Sequence, residues 1–345
     1  MSQAQRLVCL RPDAQPQLAI QDVPLPMPGR GQVLVRVQAT SVNPIDLKRA
    51  AGYGRRLLGL KGAARFPLAL GNDVAGEVVS VGPDAGAWRP GERVYGLIPT
   101  GRQGAHASQV VADEAHLRRA PAHARAEDLA ALPYTFTTLW LALHSLGLGP
   151  DQARGKRVLV HGASGGLGQL ALQVLGRWGA DITAVCSTAQ VQRCRDLGAA
   201  HVWDRSQQPL SNLPRHFDAS LNFATWADEA TLIGCLRPGA IGHATTVHPL
   251  LASFDERGWV SGAAHAGRSW LQMRRQVHGT SASARYAWVV FRPSSQALDA
   301  LAQLLSGDGL QLPIGIACAL SQGHQAFAHV ARQGAGRAIL LPECL

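Results

Sequence analysis

Glycines at 162, 165, 166 and 168 follow a β-branched run, Val158-Leu-Val-His-Gly162, and precede an apolar-periodic stretch, Leu170 to Leu175. A strand that runs into a glycine-rich turn and then a helix can hold a pyrophosphate, because the first N–H groups of the helix lack intrahelical partners and its dipole is positive at that end. Gly165 lets the backbone approach the phosphates, and Gly168 lets the helix pack closely on the strand. Gly162, Ala163, Ser164, Gly165, Gly166, Leu167 and Gly168 are therefore the candidate dinucleotide-binding residues. A second strand, Asp181 to Cys186, ends where an acid would grip a ribose 2′-hydroxyl, but the residue there is Ser187. Ser187 and Thr188 can hydrogen-bond a 2′-phosphate. One of Arg193, Arg195 and Arg205 can neutralise it, with Arg205 best placed after the third strand. The pattern predicts NADPH in preference to NADH.

Such a turn needs a parallel sheet behind it. From about Ala126 the chain alternates helix and strand: an apolar helix to Leu146, the strand before Gly162, a helix from Gly165 to Gly179, then Asp181–Cys186. It continues with a helix over 189–197, strands over 201–203 and 217–223, a helix over 227–236 and a strand over 240–246. This is a βαβ texture, and six parallel strands are predicted. The first third instead alternates short apolar runs (32–40, 74–81, 93–97, 107–111) with turn sequences such as PGRG and RPGE, which reads as an antiparallel β unit. Near the end, 296–307 reads as a helix, and 315–320, 322–330 and 337–341 read as mixed short elements that are expected to rejoin the first domain. The domains are expected at 1–127, 128–292 and 293–345. At 345 residues, two structural units are expected rather than one core.

Composition excludes several classes. Hydrophobic residues are 46% and charged residues 16% of the chain, with no long polar tract, which argues against extensive disorder. The most apolar window, Leu129 to Leu148, is interrupted by Pro133, three threonines and His144, so no membrane span is predicted. Met1–Leu10 lacks a secretory pattern, which leads to the expectation of a cytoplasmic protein. The net charge of +10 is scattered, with no run of five basic residues, so nucleic acid is not the expected partner. The six cysteines, at 9, 186, 194, 235, 318 and 344, form no CxxC pair and no zinc-ligand spacing, so no metal site is predicted, and Cys186 and Cys194 read as buried side chains.

The segments SVNPIDLKRAAGYG (41–54), FPLALGNDVAGEVVSVG (66–82), RPGERVYGLIP (89–99), ALPYTFTTLW (131–140), KRVLVHGASGGLG (156–168) and GRAILLP (336–342) resemble the zinc-independent medium-chain dehydrogenase/reductase superfamily. The resemblance is to its quinone oxidoreductase group, near the mitochondrial reticulon-interacting branch. It implies an α/β protein with a GroES-like β-rich substrate domain built from both chain ends and a doubly wound Rossmann domain. It also implies an active site in the cleft between them and a homodimer. Zinc-dependent relatives carry a cysteine near Asn43 and a His-Glu pair after Gly71. Here Asn43 and Asn72-Asp73 stand in those places, so zinc-assisted alcohol oxidation is disfavoured. The implied reaction is hydride transfer from NADPH to a quinone or an α,β-unsaturated carbonyl, where the developing enolate needs hydrogen-bond donors and a proton.

For that chemistry the resemblance points to Asn43, Asp46 and Tyr53, the last near where acyl-thioester reductases carry a proton-donating tyrosine. Thr138 is implied beside the nicotinamide, and Asn222 and Arg337 among the cofactor contacts. His243 and His248 read as ordinary loop histidines. Arg55–Arg65 and Ala264–Arg285, the least family-like stretches, are expected to set acceptor specificity, and Tyr286, Trp288 and Phe291 read as core. Relatives have an Asp-Asn-Val-Gly-Gly-like stretch where this chain has Leu221-Asn222-Phe223-Ala224-Thr225-Trp226, which predicts a different loop path. That change leaves open a second reading, a non-catalytic dinucleotide-binding sensor or partner-binding protein. The net charge leaves open a third, an RNA-associated protein.

Overall fold

Alternating apolar side chains build the first strands. In the computed structural model, which describes residues 3–342 except Arg102 and Asp308, β1 (Gln3–Cys9) pairs antiparallel with β2 (Leu18–Pro24). Every second residue of β3 (Gln32–Val42) turns inward, so that Val33, Val35 and Val37 enter a core with Val74, Val78, Val94 and Val110. Asn43 then opens α1 (Pro44–Ala50), with Pro44 in the first turn, where a missing N–H costs nothing. A short excursion holds α2 (Arg55–Gly59) and leads to β4 (Leu68–Ala69), which pairs with β1. The antiparallel strands β5 (Asp73–Val81), β6 (Arg93–Leu97), β7 (Gln109–Asp113) and β8 (Leu117–Arg119) follow, and then α3 (Ala126–Ala130). The chain divides into two units inside α4 (Pro133–Leu146), between Thr137 and Thr138.

The second unit runs to Phe291. Its elements are α5 (Pro150–Ala153), β9 (Arg157–His161), α6 (Gly166–Arg177), β10 (Asp181–Cys186), α7 (Val191–Asp196), β11 (His201–Asp204), β12 (Ala219–Asn222), α8 (Glu229–Gly234), β13 (Gly242–Thr245), α9 (Leu250–His278) and β14 (Arg285–Trp288). The six strands are all parallel, in the order β11-β10-β9-β12-β13-β14. The winding direction reverses between β9 and β12, and the crevice at their carboxyl ends is where such sheets bind ligands. This is the doubly wound Rossmann arrangement.

From Arg292 the chain belongs to the first unit again. It adds α10 (Ser295–Ser306), β15 (Ile314–Ala319), α11 (Gly323–Ala331) and β16 (Arg337–Leu341), completing a seven-stranded sheet ordered β15-β16-β3-β5-β6-β8, with β7 also on β3. Phe327 and Ala326 of α11 pack with Leu340, Leu7, Leu68 and Val42 in a second core of this unit. One sequence expectation changes: His243 lies on β13 rather than in a loop. Residues 264–278 belong to α9, a helical run broken only at Gly258 (φ 78°). No helix among the described residues is long and apolar enough to cross a membrane. Cys344 lies outside the described residues. Cys186 and Cys194 are buried, and burial pushes the Cys194 thiol up to about 12.

Candidate functional site

The glycine turn of the second unit has the close packing its residue types require. Gly165 precedes α6 in an extended conformation, and Gly162 has φ 80°. A Cβ on Gly168 would lie 2.3 Å from the Gly162 carbonyl oxygen and 2.4 Å from the Ala163 Cα, so only glycine lets α6 start against β9 at this point. A Cβ on Gly165 would meet the Gly162 carbonyl oxygen at 3.5 Å, an ordinary van der Waals contact, so this position tolerates a methyl group. The turn is braced from behind: the Ala163 N–H donates to the Val185 carbonyl, and the Gln169 side chain donates to the Ser164 carbonyl at 2.7 Å. The cradle fits a pyrophosphate, with the first-turn N–H groups of α6 at its floor.

At the ends of β10 and β11 the structure adds an acid that the sequence reading overlooked. Asp204 pairs across from Cys186, accepts the Thr188 hydroxyl at 2.6 Å and the Ser206 N–H at 2.9 Å, and is held below the usual carboxylate range chiefly by the Thr188 bond. Thr188 is thus already engaged. Arg205 is exposed, and its N–H donates to the Cys186 carbonyl, which sets it beside Ser187. Arg193 instead donates to the Gln169 side chain at 2.9 Å.

The loop after β12 needs no glycine. Phe223, Ala224 and Thr225 all avoid positive φ, and it is Gly162 that makes room, since a Cβ there would sit 3.2 Å from Ala224 Cβ. The buried Asn222 amide braces this loop: it accepts from the Ala224 N–H at 3.2 Å and donates to the Thr225 carbonyl and to Glu229, both at 2.8 Å. Glu229 also accepts the Tyr286 hydroxyl at 2.9 Å, and His243 lies 3.2 Å away. Burial pushes Glu229 up, but His243 and these hydrogen bonds outweigh it and hold it below its ordinary range. His161, the residue before Gly162, lies 2.8 Å from Asp228 and is kept neutral mainly by burial. His248 stacks on Trp288 at 4.9 Å and donates to the Val289 carbonyl, a packing role. Thr138 is buried on α4.

In the first unit, the sequence-predicted residues fall into a buried polar network centred on Asp73. Asn43 donates to Asp73 at 2.8 Å and to Ser41 at 3.0 Å, and accepts from Arg337 at 2.6 Å. Ser41 and the Tyr134 N–H also donate to Asp73. Burial raises the Asp73 carboxyl to about 6, against the opposing pull of Arg337 and these donors. Arg337 is buried here, bonded to Asn43 and Ser41. Asp46 accepts the Asn43 N–H at 2.8 Å and the Gly71 N–H at 3.0 Å; both oxygens clamp the backbone around α1. Asn43 and Asp46 thus shape the loop, and neither offers a free polar group to a reacting atom. His106 donates to the Ser41 carbonyl at 3.0 Å and lies so close to Gly71 (φ 93°) that a Cβ would meet its ring at 2.4 Å.

Tyr53 sits between Gly52 and Gly54, both at positive φ, with the Lys48 ammonium 5.6 Å from its ring centre. Tyr134 was not singled out from the sequence. Its phenol is held protonated by burial and by the carboxylates of Asp46 and Asp73. The network joins two distant stretches, 41–46 and 71–73, with Tyr134 and Arg337, and no periodic signal marks Asp73 or Tyr134 as its members. Among the described residues no three His, Cys, Asp or Glu side chains group as metal ligands.

Comparison with known proteins places this geometry. The alcohol dehydrogenase GroES-like domain family matches residues 29–122. The chain is 31% identical over 325 residues to the NAD(P)H oxidoreductase RTN4IP1, mitochondrial, of Danio rerio, covering 89% of this chain and 82% of that protein. Its fold superposes on the quinone oxidoreductase from Coxiella burnetii with a TM-score of 0.80 at 21% identity, covering 99% of each chain. It superposes on the CurK enoyl reductase with a TM-score of 0.77 at 21% identity, covering 99% of this chain and 100% of that one. The expectation of a cytoplasmic protein is overturned, because the Danio rerio relative and those of Caenorhabditis elegans, Mus musculus and Homo sapiens are named mitochondrial. End-to-end identity with these oxidoreductases, and a fold shared with quinone and enoyl reductases, show that the chain belongs to the quinone-oxidoreductase-like medium-chain dehydrogenase/reductase superfamily.

Proposed function

We propose that the chain is an NADPH-dependent reductase of a quinone or an α,β-unsaturated carbonyl. The observation that carries the reading is the glycine cradle, where a φ of 80° at Gly162 and backbone atoms within 2.6 Å of a Cβ on Gly168 require glycine at the start of α6. Relatives named NAD(P)H oxidoreductase and quinone-oxidoreductase support the reaction class. NADPH, when bound, supplies the hydride. The N–H groups of Gly166, Leu167 and Gly168 would hold its pyrophosphate, and Ser187 and Arg205 would take the 2′-phosphate, with Thr188 already committed to Asp204. Thr138 would face the nicotinamide. In the first unit Asn43, Asp46, Asp73 and Arg337 fix the loop that carries Tyr53. The Tyr53 phenol would give its proton to the enolate left when the acceptor takes up hydride at its β-carbon.

The non-catalytic reading drew on the missing glycines at 221–226. A loop of negative φ, pinned to β9 by His161–Asp228 at 2.8 Å, removes its steric motive. The test is a fluorescence titration with NADPH and NADH, followed by addition of a quinone and a simple enone. Tighter binding of NADPH and its consumption on addition of either acceptor is the expected result. Binding without consumption across a broad panel would favour the sensor reading, and no binding would end both.

A further inference from the structure

The excursion from α1 to β4 carries a concentration of charge that the reaction just described does not use. Between Lys48 and Arg65 the chain has Lys48, Arg49, Arg55, Arg56, Lys61 and Arg65 and no acidic residue. The flanking acids, Asp46 and Asp73, have both oxygens occupied by N–H or O–H donors. Basic residues on a helix are often paired with carboxylates three or four residues away, and α2 has none at that spacing. The guanidiniums are also not spread over a convex face. Arg55, Arg56 and Arg65 line a cavity of about 560 Å³ whose other walls are Gly59, Gly62 and Ala64.

The fold maintains that shape. Arg49, buried, donates to the Ala63 carbonyl at 3.0 Å and ties the start of the excursion to its end. Gly54 (φ 78°) and Gly62 (φ 69°) turn the chain on either side of α2. The wall residues carry no side chain beyond a methyl group, so a multi-atom group can enter between the guanidiniums. Arg55 and Arg65 are exposed, so presenting them to an anion requires little additional desolvation, and a guanidinium matches phosphate geometry through paired N–H donors. The excursion begins at the turn that holds Tyr53, the proposed proton donor.

We propose that this cavity binds a phosphate on the tail of the acceptor, so that the natural substrate is a conjugated carbonyl compound bearing a phosphorylated tail. The inference deepens the reductase reading and rests on it for the identity of the ligand as substrate.

The test compares two acceptors with one reacting group: crotonyl-coenzyme A, which carries phosphates, and the crotonyl thioester of N-acetylcysteamine, which carries none. Both are assayed with the wild-type chain and with an Arg55→Ser/Arg65→Ser variant. Both arginines belong to the first unit and the glycine cradle to the second, so NADPH affinity of the variant should equal that of the wild type and serves as the check on folding. The expected result is a loss of about tenfold or more in kcat/KM for the phosphorylated ester, carried by KM, with the neutral ester unchanged. An equal effect on both esters, or no effect on either, overturns the proposal. Calorimetric titration of the NADPH-saturated protein with inorganic pyrophosphate reads the cavity without turnover. Binding that disappears in the variant supports the site even if neither thioester is reduced, in which case the failure belongs to the reductase reading. No pyrophosphate binding overturns the site. Loss of binding to phosphatidylserine vesicles in the variant, with no pyrophosphate binding by the wild type, would assign the arginines to a membrane surface and also overturn it.

Discussion

Asp73 is buried with its carboxyl raised from 3.8 to about 6, although three donors and the Arg337 cation all favour its charged form. The structure therefore says that burial wins over pairing, and that ordering can be measured. The folded chain holds a proton on Asp73 between about pH 4 and pH 6 that the unfolded chain has released, so unfolding free energy falls as pH rises through this window. The difference between 3.8 and about 6 is worth about 3 kcal/mol, present as a penalty on the folded state above the window and absent below it. Asp73→Asn removes the titration. It also places an amide N–H against the Ser41 and Asn43 donors, a cost that does not vary with pH. Urea unfolding of both proteins from pH 4 to pH 7.5 isolates the first effect as the pH-dependent part of the difference. Relative to the variant, the wild type should lose about 3 kcal/mol on going from pH 4 to pH 7. Parallel curves, or a wild type that gains stability over this range, would show that Arg337 and the donors dominate and would refute the reasoning.

Other consequences are equally direct. Gly168→Ala places a methyl 2.3 Å from a backbone oxygen, so NADPH affinity should drop by about tenfold or more, while Gly165→Ala, with nothing within 3.4 Å, should bind within a few fold of wild type by fluorescence titration. Arg205→Ser should weaken NADPH binding by about tenfold and leave NADH binding unchanged, since only NADPH carries the 2′-phosphate; equal losses for both would remove Arg205 from that role. Tyr53→Phe should lower kcat by about a hundredfold with KM little changed, and Tyr134→Phe should not. The reverse pattern in steady-state kinetics would transfer proton delivery to the phenol beside Asp46 and Asp73.

The parts of this molecule that could be read from sequence are those encoded locally. Val158 to Gly168 declares strand, turn and helix within eleven consecutive residues, and the βαβ alternation around it gave the order of elements through β13. The sixth strand, β14, and the 29-residue α9 were harder, because α9 mixes glycine, alanine and polar residues and contains a non-helical glycine at 258, which dilutes any helical periodicity. The polar network of the first unit is the opposite of local. Arg337 lies 294 residues from Asn43, and Asp73 stands at the start of a valine-rich strand where a carboxylate carries no periodic signal. Asn43, Asp46, Asn222 and Arg337 were found by resemblance, but their bonding could not be. Folding turned each toward another protein group. Asp204 escaped notice because it reaches the end of β10 from the neighbouring strand, a relation set by register rather than by spacing.

The central claim is that this chain moves a hydride from NADPH to a conjugated carbon. Single turnovers with NADPH deuterated on either face of C4, an enone acceptor and mass spectrometry of the product test it most directly. The account predicts one deuterium on the β-carbon of the product from one of the two labelled cofactors and none from the other. Product without deuterium from either, or no product from a protein that binds NADPH, would contradict it.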